Sequence, residues 1–150
     1  MKTLTVLLVL LMTGIMASAQ VQNPVKWNYK LKKTNATTYE VHITATIDKG
    51  WHIYSQTTPE GGPVPTTIRF AKNPLVTLVG KAKEVGKLEK LHEELFGVDV
   101  KQFSNSVNFV QVIKVKAAIK TSVIGTVEFM VCNDRECLPP TSNKFSLSIQ

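Results

Sequence analysis

Apolar and polar residues alternate along much of the chain, and a period of two is that of β-strands rather than helices. The clearest run has apolar residues at Tyr39, Val41, Ile43, Ala45 and Ile47. Asp48-Lys49-Gly50 follows this run and predicts a turn that leads into a second strand at Trp51–Tyr54. Trp51 is expected in the core, since large aromatic residues are mostly buried in sandwiches.

The same alternation predicts further strands along the chain. They are expected at Trp27–Leu31, Thr67–Phe70, Leu75–Val79, Val107–Ile119, Val127–Val131 and Phe145–Ile149. Turns rich in Gly, Pro and Asn separate them, and residues 56–66 form a long loop within the same domain. This pattern predicts an all-β fold, specifically an immunoglobulin-like antiparallel β-sandwich.

One segment does not follow the strand pattern clearly. Leu88, Leu91 and Leu95 lie at helical spacing, and Gly97 is suitable for ending a short helix. The same residues are also compatible with a loop that protrudes between two strands. The sequence leaves both alternatives, a helix or a cap loop over Leu88–Phe96, open.

The first residues have the three parts of an export signal. Lys2 precedes an apolar run at residues 4–12, and Ala17-Ser18-Ala19 forms a small-residue cleavage site. We therefore expect a signal peptide at residues 1–19 and one exported domain at residues 20–150. The expected location is the periplasm, with secretion as the alternative, and no stable insertion in the membrane is expected.

The chain carries a net charge of +7, and basic proteins can attract nucleic acid. However, the lysines are spread along the chain, and Lys114 and Lys116 alternate with Ile113 and Val115. This arrangement is typical of the solvated face of a strand. No nucleic-acid-binding motif accompanies the charge, so no nucleic-acid partner is expected.

The only two cysteines, Cys132 and Cys137, are separated by four residues. A four-residue loop is a common hairpin length and would place the two cysteines opposite each other, with Cα atoms about 4.5–5.5 Å apart. A disulfide would then form easily, and export makes it stable. It would contribute only about 2 kcal/mol through loop entropy, against about 4.7 for a 100-residue loop. This small gain favours a redox role, although a structural bond stays an alternative.

A copper or zinc site is a second alternative for these residues. The candidate ligands would be Cys132, Cys137, His42, His52, His92 and Met130. The histidines are scattered and lack the short spacings that metal sites use, so neither a metal nor another cofactor is expected. A hydrolase is not expected either, because no triad or carboxylate pair is recognisable.

Three segments resemble the N-terminal, immunoglobulin-like alpha domain of the bacterial thiol:disulfide interchange protein DsbD. The first is Gly50–Ser55, followed by a Gly/Pro loop and Pro65–Phe70. The second is His92–Gly97, and the third, the most specific, is Cys132–Pro140, in which the second cysteine precedes one residue and Pro-Pro. The three segments span most of the chain.

The resemblance implies a thiol–disulfide exchange protein, and thus a protein-disulfide reductase activity. Cys137 would exchange with exported partner proteins, Cys132 would resolve the intermediate, and a separate membrane or exported reductant would supply electrons. Phe96 would lie on a cap loop and shield the cysteine pair. Tyr54 and Glu94 are the candidate residues that line the site. The alternative is a non-catalytic immunoglobulin-like binding module with a structural disulfide.

Overall fold

The computed structural model describes residues 22–116 and 120–150. The predicted signal peptide, and Ala117 and Ile119 of a predicted strand, lie outside the described residues. All the regular structure within these ranges is β-strand: β1 (Val25–Lys33), β2 (Thr38–Ile47), β3 (His52–Tyr54), β4 (Thr67–Phe70), β5 (Val76–Glu93), β6 (Val98–Val115), β7 (Thr121–Cys132) and β8 (Cys137–Ile149). No helix long and apolar enough to cross a membrane occurs among the described residues.

All strand pairs are antiparallel, and they form two layers. One layer has the order β1-β2-β6-β5, and the other has β7 paired with β4 on one side and β8 on the other. The short strand β3 joins the layers, because it pairs with β6 on one side and with the end of β7 on the other. The expected all-β, immunoglobulin-like sandwich is confirmed.

The main hydrophobic core lies between the two layers and is built by the predicted alternation. Val41, Ile43 and Ala45 of β2 are fully buried there, and so is Phe109 of β6. The indole ring of Trp27 lies 5.0 Å from the ring of Phe129, which ties the first strand to β7. Burial of these apolar side chains contributes the largest favourable term to folding. Trp51 is half-buried and packs against this core, as expected.

The segment with helical leucine spacing is neither a helix nor an isolated loop. Leu88 and Leu91 lie on β5, an 18-residue strand that also includes most of the short strand predicted at Leu75–Val79. Only residues 94–97 form a turn, in which Gly97 has a φ of +65°. The helical interpretation is wrong because pairing with β6 satisfies the backbone along the whole segment. Leu88 to Glu93 pair with β6 in regular register, and Leu88, Leu91 and Leu95 are all exposed, so their helical spacing does not reflect a buried face.

Candidate functional site

The cysteine pair lies at the tip of the β7–β8 hairpin, as predicted. Cys132 ends β7, Cys137 begins β8, and the two residues are direct cross-strand partners. Their sulfur atoms are bonded, and their Cα atoms are 4.0 Å apart, slightly closer than expected. Asn133 holds the loop, because its Oδ1 accepts hydrogen bonds from the backbone N–H groups of Arg135 (2.8 Å) and Glu136 (2.9 Å).

The two cysteines differ in their exposure to solvent. Cys132 is completely buried, whereas Cys137 is half-buried. Pro139 and Pro140, which follow Cys137 after one residue, are exposed. Proline has no N–H to donate, so another strand cannot easily pair with β8 at this point. Cys137 is therefore the more accessible of the two cysteines.

Strand parity decides which side of the sheet carries the disulfide. Ile53 and Val131 point into the main core, so their neighbours His52, Tyr54 and Cys132 point to the opposite face. On that face, Tyr54, Val100 and Cys132 are all at most 2 % exposed and form a second, smaller apolar cluster. We call it the outer cluster. Its partly buried members are Val98, Met130 and Cys137.

A polar network adjoins the outer cluster. The hydroxyl of Tyr54 donates a hydrogen bond to the Glu93 carboxylate (3.1 Å), and Nε2 of His52 lies 3.1 Å from the same hydroxyl oxygen. Nε2 of His52 is also 3.5 Å from Oε2 of Glu93. All three side chains are buried. Two strands that both pair with β6 supply them: His52 and Tyr54 come from β3, and Glu93 ends β5.

Burial shifts the titration of two members of this network. Desolvation lowers the pKa of His52 below its usual value, and the opposing attraction of Glu93 and Asp134 is too weak to restore it. Burial, and then the negative charge of Glu93, raise the pKa of Tyr54. At neutral pH, therefore, His52 is an uncharged imidazole and Tyr54 is a protonated phenol.

An open cavity of about 350 Å³ lies above the network, between the turn that follows β5 and the disulfide loop. His52, Glu93 and Gln102 form part of its wall, Leu95 and Glu94 come from the turn, and the disulfide loop contributes Asn133 and Asp134. The cavity shows that the turn and the disulfide loop face each other across a gap. Leu95 and Glu94 of the turn therefore lie on the same side of the sheet as Asn133 and Asp134 of the disulfide loop.

We refer to the turn at residues 94–97 as the cap. It is held at its base, where the backbone N–H of Gly97 donates to the carbonyl of Glu93 (2.8 Å). The loop at residues 56–66 supports the cap, and Gly62 allows the close approach. A Cβ atom on Gly62 would lie only 2.6 Å from Cγ2 of Val98, which directly follows the cap, and 4.0 Å from Cβ of Phe96 in the cap. The cap thus rests on a loop position that has no room for a side chain.

The structure brings some of the predicted site residues together and separates others. Tyr54 lies in the outer cluster with Cys132, whereas Glu94 is exposed and only lines the cavity. Phe96 is 36 % exposed, and Leu95 rather than Phe96 lines the cavity beside the disulfide loop. The roles of these side chains remain proposals.

The sequence analysis names His52 only as a candidate metal ligand. Of the two adjacent carboxylates, it names Glu94 and not Glu93 as a lining residue. A signal for His52 existed: it has the parity of Tyr54, and both are opposite in parity to the core residue Ile53. No comparable signal distinguished Glu93 from Glu94, because the fold alone buries one carboxylate and exposes the other.

The scattered histidines occupy separate places. His42 contacts Glu40 on its own strand and Asn108 on the neighbouring strand β6, while exposed His92 contacts Asp99. In the part of the chain that the structure describes, no group of three or more His, Cys, Asp or Glu side chains is arranged to hold a metal ion.

Comparison with solved structures identifies similar folds at low sequence identity. The N-terminal periplasmic domain of ScsB from Proteus mirabilis matches with a TM-score of 0.57 and 14 % identity over 85 % of this chain. This chain spans only 47 % of that ScsB chain. The reduced N-terminal domain of DsbD from Neisseria meningitidis matches with a TM-score of 0.54 and 15 % identity, covering 81 % of this chain and 84 % of that one.

A third structure is a complex between the N-terminal domains of DsbD and PilB from Neisseria meningitidis. It matches with a TM-score of 0.50 and 14 % identity, and 80 % of each chain is covered. No curated protein sequence matches the chain. The family model described as "Thiol:disulfide interchange protein DsbD, N-terminal" matches residues 18–149. The bonded cysteine pair lies within that match, and the chain belongs to the family of DsbD N-terminal domains.

Proposed function

We propose that this protein is an exported thiol–disulfide exchange protein that passes electrons through the Cys132–Cys137 pair. A separate membrane or exported reductant would reduce the pair, which would then reduce the disulfides of exported partner proteins. The unequal exposure of the two cysteines carries this proposal. A half-exposed Cys137 can form an intermolecular bond, and a buried Cys132 is positioned to resolve it.

The reaction proceeds by two displacements at sulfur. The Cys137 thiolate attacks one sulfur of a partner disulfide, which forms a mixed disulfide and releases the other partner sulfur as a thiolate. The Cys132 sulfur then attacks Cys137 and releases the second partner thiolate. The partner gains two electrons, and this protein ends as the disulfide that the structure shows. The chemistry requires neither a cofactor nor a metal, and the reverse sequence recharges the pair.

The cap supplies a gate for this exchange. Leu95 faces the disulfide loop across the cavity, and Phe96 lies beside it on the same four-residue turn. We include Phe96 as the shielding residue, with Leu95 next to it, and Tyr54 and Glu94 as lining residues. The closed cap would limit accidental oxidation of the pair. Opening of the cap on partner contact would expose Cys137, as lids do in other enzymes.

The solved relatives support the location and the kind of partner. The ScsB domain is periplasmic, and the meningococcal DsbD domain forms a complex with a domain of PilB. Together with the predicted signal peptide, these relatives support a periplasmic location and exported thiol–disulfide partners for this chain.

The first test is the reduction potential of the Cys132–Cys137 pair, measured by equilibration with glutathione or dithiothreitol and thiol alkylation. We expect a value above about −250 mV, as in exchange-active couples. A value below about −300 mV, or a bond that resists reduction until the protein unfolds, contradicts the proposal. The chain would then be a binding module with a structural disulfide.

The second test separates the two cysteines. Cys132→Ser is expected to accumulate mixed disulfides with exported thiol proteins, because the resolving sulfur is missing. Cys137→Ser is expected to accumulate none and to lose exchange completely. Non-reducing gels of the two variants measure both outcomes, and equal trapping by the two variants would contradict the role assignment.

A further inference from the structure

We propose that His52 is a catalytic base of the resolving step, which takes the proton from the Cys132 thiol, and that Glu93 and Tyr54 are the residues that position it. The inference rests on the proposed exchange function. It assigns a proton acceptor to the one cysteine that solvent does not reach.

The strand register places the two reacting groups side by side. His52 and Cys132 are direct partners in the antiparallel β3–β7 pair. Side chains of such partners project from the same face, with Cβ atoms about 4.5–5.5 Å apart. An imidazole and a thiol at this separation are within reach of a hydrogen bond. The half-exposed Cys137, in contrast, can exchange its proton with solvent.

Burial makes an internal base necessary. Cys132 is 0 % exposed and His52 is 7 % exposed, so the proton of the Cys132 thiol has no direct route to bulk water. A thiol must lose its proton before it can attack a disulfide, because the thiolate is the nucleophile. His52 is the uncharged base on this face of the sheet, since Tyr54 is a phenol and the Glu93 carboxylate already accepts the Tyr54 hydrogen bond.

The hydrogen bonds also define which nitrogen of His52 is free. The single proton of the Tyr54 hydroxyl goes to Glu93, so Nε2 of His52 must carry a proton in order to approach the Tyr54 oxygen at 3.1 Å. Nδ1 then keeps its lone pair and can accept a proton. A nucleophile, a base and a carboxylate that orients the base form the arrangement found around activated cysteines.

The surrounding charges favour this transfer. Glu93 on β5 lies 3.5 Å from Nε2 and stabilises the imidazolium once it forms. Asp134 of the disulfide loop and Glu89 of β5 act in the same direction. Glu94 and His92 line the same cavity from the cap side. Because burial keeps His52 uncharged at rest, it is ready to accept a proton at neutral pH.

The step balances as follows. In the mixed disulfide, the S–H bond of Cys132 breaks and its proton goes to Nδ1 of His52. The electron pair left on the Cys132 sulfur forms the bond to the Cys137 sulfur, while the bond between Cys137 and the partner breaks. The partner sulfur leaves with the electron pair of that bond, and the imidazolium then returns its proton to this thiolate or to solvent. Cys132 and Cys137 are oxidised, and the partner disulfide is reduced.

A single-turnover experiment on the purified protein tests this step. The reduced protein is mixed with excess aryl disulfide that releases a coloured thiolate twice: first when Cys137 attacks, then when Cys132 resolves. We expect the rate constant of the slower phase of the wild type to increase with pH through a pKa below 6.5 and then to stay constant up to about pH 8. In His52→Gln this phase should be about 100-fold slower at about pH 7 and should rise with pH.

The comparison between variants separates catalysis from structure. The difference in resolving rate between the wild type and His52→Gln should become smaller as the pH approaches the range in which thiols ionise, because hydroxide then replaces the base. Glu93→Gln should shift the inflection of the rate–pH curve to lower pH, since the negative charge of Glu93 raises the pKa of His52. His42→Gln on β2 is the matched control and should leave both phases unchanged.

Three results would overturn or separate the two proposals. A resolving phase that is equally fast in His52→Gln, or slower by the same factor at every pH, overturns the role of His52. If that variant does not fold, a wild-type resolving rate that rises tenfold per pH unit across about pH 6–8, without a plateau, also overturns it. A wild type whose disulfide cannot be reduced without unfolding would instead contradict the exchange function itself.

Discussion

The two faces of the sheet around β3 bury their side chains for different purposes. On the inner face, Ile53 joins a large core in which Phe109 and its neighbours are almost entirely apolar. On the outer face, His52, Tyr54 and Glu93 are equally buried but polar, and they lie beside Cys132. The inner face therefore provides most of the stability. The outer face holds groups that can move protons, at a cost in desolvation.

The largest expected effect belongs to the inner face. Phe109→Ala removes a fully buried ring and leaves a cavity, so the free energy of unfolding should fall by about 3–5 kcal/mol. The reduction potential of the folded protein should not change, because the ring lies on the other side of the sheet from the disulfide. Urea denaturation and thiol equilibration measure the two quantities, and a coupled change in potential would show that the two faces are not independent.

A substitution beneath the cap should affect the disulfide as well as the stability. Gly62→Val forces a side chain against Val98, which lies 2.6 Å from the position of the new Cβ atom. We expect a loss of about 1–3 kcal/mol together with faster reduction of the disulfide by dithiothreitol, because the cap is displaced.

Gly125→Ala is the matched control for the cap. Its Cβ atom would lie 2.4 Å from Cζ of Phe145, a core residue distant in sequence from the cap. This variant should also lose stability, but its disulfide should keep the wild-type reduction rate. If both variants accelerate reduction equally, general loosening of the fold rather than the cap controls access.

A smaller pair of effects tests buried polar atoms on both faces. Oε1 of Gln102 at the site, and the hydroxyl of Tyr29 in the core, are buried without a hydrogen-bond partner among the described residues. Burial also raises the pKa of Tyr29 to about 12. Gln102→Leu and Tyr29→Phe should each increase the free energy of unfolding by about 1 kcal/mol. A loss of stability in either variant would contradict this expectation.

The smallest expected effect is the contribution of His52 to the pH dependence of stability. Its folded-state pKa lies below the unfolded value of about 6.5, so the unfolded chain binds more protons between these two values. Stability should therefore fall as the pH drops below about 6.5. His52→Gln should flatten that part of the curve, whereas His42→Gln should not. Urea unfolding at several pH values gives the comparison, and a steeper curve in His52→Gln would reverse the assigned sign.

Much of the fold followed from local pattern. Alternation located β2 and β4 closely, because apolar residues recur at every second position of a strand with one face in the core. It found only Val127–Val131 of β7 and Phe145–Ile149 of β8, while the spacing of the cysteines located the hairpin between these two strands. The same reasoning failed on β5, where two bulges shift the register and most side chains are exposed. An edge strand with little burial does not need a strong alternation of apolar and polar residues, so its sequence does not reveal the strand.

The sequence by itself determined most of the strands other than β5, the inward faces of those strands, and the hairpin that joins Cys132 to Cys137. These properties depend on the period of two and on a four-residue loop, which are local features of the chain. Only the tertiary structure decided that the outward face of β3 would also be buried, against Val100, Cys132 and Glu93. That second burial brings Glu93 from β5 to His52 and Tyr54, residues 41 and 39 positions away in sequence, and no local pattern records such a contact.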